Sequence, residues 1–207
     1  MNPPVLDATG DPPPAPGLAR ATDALIAGLV VAVPTDTVYG LAVDPVRPGA
    51  SDRVFAAKRR SRDVTLPLLV ADVSQAEAVA EVSTEARELM ARYWPGPLTI
   101  VLSRRPGLGL DLGDEEHTVG VRCPGHPVPR ALCAAVGPLA VTSANRHGEP
   151  TPSDARAVAS VFGPEIALVL DAGPGGGAPS AVVDCTGIEP AVLRAGPVPG
   201  FGGAQPV

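Results

Sequence analysis

Short runs of aliphatic and β-branched residues, each closed by Gly, Pro or a polar cluster, alternate along this chain with segments of helical periodicity. That alternation limits the fold more than any other feature, because each run can only be a buried strand and each periodic segment an amphipathic helix. Val30–Pro34, Leu66–Ala71, Leu98–Leu102, Thr118–Arg122, Leu139–Thr142, Ile166–Leu170, Ser180–Asp184 and Ala191–Arg194 read as strands. Leu18, Thr22, Leu25, Ile26 and Leu29 mark a first helix, with Gly28 near its stop. Val54–Lys58 forms a second. Ser74 and Glu77 fit a capping box for a third, and Ala86, Leu89, Met90 and Tyr93 a fourth, which Trp94-Pro95-Gly96-Pro97 stops. Pro127 opens a fifth that ends at Gly137, and Ser153 caps a sixth closed by Gly163-Pro164.

The last strands follow one another without helices, so a purely parallel sheet does not fit. The expected fold is α/β: a single domain with a twisted mixed parallel/antiparallel sheet flanked by helices. A length of 207 residues suits one core, and with 3% aromatics that core must be built of Val, Leu, Ile and Ala. Residues 1–16 are Pro-rich and expected to be disordered or draped over the surface, residues 17–200 form the domain, and residues 201–207 a flexible tail.

The N-terminus has no basic region followed by an apolar one, and the longest apolar run, Ala24–Val33, is ten residues. Neither a secretory signal nor a membrane span fits, and a cytoplasmic protein without membrane contact is expected. Cys123, Cys133 and Cys185 are too scattered for a disulfide framework or a zinc site, and read as buried small side chains. The net charge of −6 argues against a protein that grips nucleic acid with its whole surface. Arg47–Arg62 nevertheless carries six cations and one anion, a local field suited to a small polyanion or to a solvated helix end.

Polar clusters sit where strands begin or end, the usual place for ligand contacts in open α/β sheets. They are Thr35/Asp36/Thr37/Tyr39, Thr142/Ser143/Asn145, Ser180 after a Gly-rich stretch, and Arg194. Lys58 is the single lysine beside 15 arginines, which hints that an ammonium is wanted there; Arg60 and Arg122 could supply bidentate donors. There is no Walker loop, no G-x-S-x-G elbow and no H-E-x-x-H, and His117, His126 and His147 lack ligand spacing. From residues alone the reading reaches a small-anion site of Lys, Arg, Ser and Thr, without nucleophile or metal cage.

Six blocks together resemble the YrdC-like family of threonylcarbamoyl-adenylate synthases: Pro34–Asp44, Lys58-Arg59-Arg60, Trp94–Thr99, Val119–Pro124, Ser143-Ala144-Asn145 and Leu193–Gly196. Ser61 departs from the proline usual after the K-x-R element, and Ala181 from a hydroxyl residue. The resemblance implies formation of threonylcarbamoyl-AMP and pyrophosphate from L-threonine, bicarbonate and ATP with Mg²⁺, for modification of tRNA. It implies Lys58 and Arg60 as catalytic groups on the phosphates and the carbamate or threonine carboxylate. Ser143, Asn145 and Arg194, with Thr118 and Thr151, are implied at the nucleotide. Thr35, Thr37, Arg122 and Ser180 are implied at threonine. A tRNA threonylcarbamoyltransferase is the implied partner, and weak RNA binding is open. Two alternatives stand beside this reading: a carbamoyltransferase working through carbamoyl-adenylate, and a non-catalytic RNA-binding module.

Overall fold

The computed structural model describes residues 2–175 and 177–201. Within them eleven strands form one sheet. In chain order the strands are β1 (Val5–Asp7), β2 (Val31–Val33), β3 (Gly40–Val43), β4 (Leu68–Leu69), β5 (Ala80–Glu81) and β6 (Leu98–Arg104), then β7 (Thr118–Arg122), β8 (Leu139–Ser143), β9 (Leu168–Asp171), β10 (Ala181–Asp184) and β11 (Ala191–Arg194). The helices are α1 (Ala15–Ile26), α2 (Ala50–Lys58), α3 (Val73–Val79), α4 (Thr84–Tyr93), α5 (Pro127–Val136) and α6 (Ala155–Phe162). The strand order is β1-β9-β2-β3-β8-β4-β7-β6-β10-β11, with β5 beside β6. Four pairings are parallel (β1/β9, β2/β9, β4/β7, β6/β10) and the others antiparallel, so the mixed sheet is as expected.

Alternation along the strands divides the core between the two faces. Val31, Val33, Leu69 and Val141 pack with Ala21 and Leu25 of α1 and Val128 and Leu132 of α5. Ala32, Leu68 and Val70 point the other way, onto residues of α2, α3, α4 and α6. The α1/α5 layer stops at β4. Past it, β7, β6 and β10 still send Leu98, Ile100, Val121 and Val183 into the opposite core, but their alternate residues lack a helix above them. That uncovered stretch becomes the site.

The structure corrects several expectations. Over the described residues 2–16 the N-terminus is ordered along the sheet edge: Val5–Asp7 extends the sheet beside β9, Ala8 is buried, and α1 begins at Ala15. Prolines on both sides of β1 are compatible with an edge strand, where not every N–H is needed. Within the tail, Phe201 packs edge-to-face on Tyr93, and residues 202–207 lie outside the described residues. The third and sixth helices are capped by Asp72 and Asp154, which accept from Gln75 N and Ala157 N, rather than by Ser74 and Ser153. Strand β3 was not expected: only Leu41, Ala42 and Val43 stand between Gly40 and Asp44-Pro45, a run too short to mark a strand by itself. The three cysteines are free and buried. Among the described residues no helix is long and apolar enough to cross a membrane.

The K-x-R spacing has a backbone cause. Helix α2 ends with Arg59 N bonded to Ala56 O and Arg60 N to Phe55 O, the paired bonds of a Schellman cap, with Arg59 left-handed at φ 52°. Lys58 therefore stays buried, Arg59 faces solvent, and Arg60 turns toward the sheet. A left-handed L-residue costs about 1 kcal/mol that glycine avoids. Arg59→Gly is expected to stabilise the protein by about 1 kcal/mol, read as a higher urea midpoint at unchanged m; a lower midpoint would contradict this account of the turn.

Candidate active site

A cavity of about 550 Å³ opens over the uncovered strands, within the range of small-molecule sites. Thr99, Val101, Gly120 and Val182 line it, and the flat backbone at Gly120 leaves room: a Cβ there would stand 3.2 Å from Thr99 Cγ2. Ten of the eleven expected residues line this one cavity: Thr35, Thr37, Arg60, Thr118, Arg122, Ser143, Asn145, Thr151, Ser180 and Arg194. They come from seven separate places in the chain. Thr118 and Thr151 contribute wall without a side-chain hydrogen bond among those described.

Lys58 is the exception. Its side chain is buried behind the wall, where Nζ donates to Ser143 O and Asn145 O at 2.6 Å each and to Asn145 Oδ1 at 3.3 Å. Lys58 is thus set apart from the ten, because all three ammonium protons already have acceptors within the protein. Burial, with the nearby charge of Arg60, pushes its pKa down to about 8. At neutral pH it remains an ammonium.

The three arginines of the wall differ in how far the protein occupies them. Arg122, on the last residue of β7, is buried: Nε donates to Gly96 O, one terminal nitrogen to Thr37 Oγ1 and the other to Asp36 Oδ1 at 2.6 Å. Its burial lowers the pKa, and Asp36 opposes that. Thr37, having accepted from Arg122, donates to Thr35 Oγ1 at 3.0 Å, since the Thr35 hydroxyl is spent on Val38 O. Arg122 thus organises the whole Thr35–Thr37 turn. Arg194 donates to Ser180 O and Ser180 Oγ, and Ser180 Oγ also meets Thr99 Oγ1 at 2.9 Å. Arg60 is the least committed. It donates to Val64 O and, at 3.4 Å, to Thr142 Oγ1, while Nε is buried without a partner among the described residues. Desolvation lowers its pKa, the mark of a cation short of an anion.

Tyr39 closes one end. Its hydroxyl donates to Gly173 O at 2.7 Å, and burial raises its pKa to about 12, so it stays a donor. The Gly173–Gly177 segment it holds, in which Gly176 lies outside the described residues, borders a smaller cavity of about 310 Å³ that shares Val38, Thr151 and Pro179 with the first.

Thr99 was not among the expected site residues, and Asp36 and Tyr39 were named only within the polar cluster after β2, without a role. Thr99 carried a usable signal, one polar residue in the alternation of an apolar strand. Asp36 was marked only by its place in that cluster, because its role depends on a partner 86 residues away. The Arg47–Arg62 field is weaker than the sequence implies. Arg47 pairs with Asp44, Arg62 with Asp52 and Asp111, and Arg53 bonds backbone carbonyls. Carboxylates from outside the segment absorb much of its charge.

Among the described residues no Asp, Glu, His or Cys lines the larger cavity. Its hydroxyls therefore lack a neighbouring base, and the wall can bind and orient an anion but cannot itself offer an activated nucleophile. The Sua5/YciO/YrdC family model, described as telomere recombination, matches residues 23–196. The chain belongs to this family. As a family member it is 44% identical over 184 residues to a Mycobacterium tuberculosis protein, covering 88% of this chain and 85% of that one; its name gives threonylcarbamoyl-AMP synthase as a provisional activity. It is 40% identical over 171 residues to the threonylcarbamoyl-AMP synthase of Chromohalobacter salexigens, covering 81% and 91%. Among solved structures, the Sua5 of P. abyssi complexed with L-threonine matches with TM-score 0.84 and 35% identity over 93% of this chain and 57% of that one. The E. coli YciO structure matches at TM-score 0.84 and 26% identity over 95% and 97%.

Proposed function

We propose that this Sua5/YciO/YrdC chain is an L-threonylcarbamoyladenylate synthase, a nucleotidyltransferase. The observation that carries the reading is a guanidinium- and hydroxyl-lined cavity with no base on its wall, in a chain whose relatives bear that name. A reaction whose nucleophile comes from substrate suits such a wall. Bicarbonate dehydrates to carbon dioxide, the threonine amine adds to it and loses a proton, and a carbamate results. A carbamate oxygen then attacks the α-phosphorus of ATP. The new O–P bond replaces the bond to the β-phosphate bridge, and pyrophosphate leaves.

The residues would work by positioning and charge stabilisation. Arg60 takes the phosphate charge, with Ser143 and Asn145 beside the α-phosphate and ribose and Arg194, Thr118 and Thr151 along the nucleotide. Thr35, Thr37 and Ser180, held by Arg122, form the threonine pocket. Among the described residues no acidic cluster could cage a metal, and no carboxylate lines the wall. Magnesium therefore enters as part of the MgATP substrate, held by phosphate oxygens and water. The product is a reactive mixed anhydride, so a separate tRNA threonylcarbamoyltransferase must take it. A cytoplasmic location and weak RNA binding would both suit that partner.

The test is pyrophosphate release from ATP, Mg²⁺ and bicarbonate with single amino acids. Dependence on both threonine and bicarbonate supports the reading. Release driven only by carbamoyl phosphate would favour the carbamoyltransferase, and salt-sensitive RNA binding without ATP turnover the binding module.

A further inference from the structure

The single lysine of the chain is fully engaged by one turn. Lys58 Nζ bonds the carbonyls of Ser143 and Asn145 and the side-chain oxygen of Asn145. That same Asn145 Oδ1 accepts from Ser143 Oγ at 2.5 Å, and Asn145 Nδ2 donates to Arg146 O and Glu149 O. The main chain closes the contact from the other side, His147 N donating to Lys58 O at 2.9 Å. Ser143 and Asn145 face the cavity, and Lys58 does not. We propose that Lys58 is a positioning residue, whose ammonium fastens the Ser143–Asn145 turn from behind and aims both side chains without touching substrate.

The chemistry explains why arginine, used at all other basic positions, does not serve here. An ammonium is a compact point with three rotatable donors, able to converge on three oxygens of one turn. A guanidinium is a flat fork that cannot. Arg60, two residues on, is free to face the cavity because Lys58 takes the turn.

The inference rests on the adenylation reading only for its kinetic arm. Lys58→Met and Lys58→Arg should each speed amide exchange across residues 144–149 at least about ten-fold, with the strands of the sheet unaffected. Unchanged exchange there would overturn the proposal whatever the enzyme does. In turnover, Lys58→Met should lower kcat about 30-fold in the native chain but no more than about 3-fold on an Asn145→Ala background, because both changes disable one device. Multiplicative losses would show a separate contact with substrate and would also overturn it. Should the native chain release no pyrophosphate at all, the adenylation reading falls, while amide exchange still decides whether Lys58 holds the turn.

Discussion

Arg60→Ala is expected to lower kcat/KM about 10²- to 10³-fold and to leave the substrate-free protein as stable as the native chain, or more so. The two effects have one origin. Arg60 Nε is buried without a partner, and one of its terminal nitrogens reaches only a 3.4 Å contact with Thr142. In the free enzyme this guanidinium has lost water and gained little in return, which is why its pKa is lowered. On the proposed reading a triphosphate would supply the missing acceptor, and the charge that builds on it in the transition state would meet a donor already in place. Removing the side chain would remove that stabilisation and relieve the desolvation of the guanidinium. Near-native turnover, or a melting temperature several degrees lower, would contradict this role.

Asp36→Ala should do the reverse to stability. The Arg122 side chain is 7% exposed and Asp36 20%, and their contact is 2.6 Å. Breaking such a pair by removing one partner leaves a buried cation uncompensated, a loss of about 3 kcal/mol. For a domain of this size that corresponds to a melting point roughly 6–12 °C lower. Activity should fall as well, since Arg122 also sets Thr37 and through it Thr35. The double variant Asp36→Ala/Arg122→Met separates the effects: stability should largely return and activity should not. An Asp36→Ala protein as stable as the native one would show that Gly96 O and Thr37 suffice to hold the arginine.

These two residues also mark how far the sequence could be read. The strands were legible because apolar runs punctuated by Gly and Pro have few alternatives, and the residues at their ends were legible because a sheet must send its polar positions to its rim. Thr35, Arg122, Ser143 and Ser180 meet at one cavity for that reason. The direction a side chain takes at such a rim was not legible. Lys58 and Arg60 look equivalent in a K-x-R string, yet the left-handed Arg59 between them sends one inward and one to the cavity. Asp36 resembles a turn former, and only the fold supplies its arginine. The N-terminus misled through composition. Proline content argues for disorder, but a three-residue edge strand asks for few hydrogen bonds and a free neighbour, which β9 provides.

The most direct test of the central claim follows the carbon of bicarbonate. The protein is incubated with MgATP, threonine and ¹³C-bicarbonate, and nucleotide products are separated and weighed by mass spectrometry. The account predicts one labelled species containing AMP, threonine and the bicarbonate carbon, formed in step with pyrophosphate and absent when threonine is omitted. Pyrophosphate released while the label never joins a nucleotide, or an adenylate formed only from carbamoyl phosphate, would contradict it.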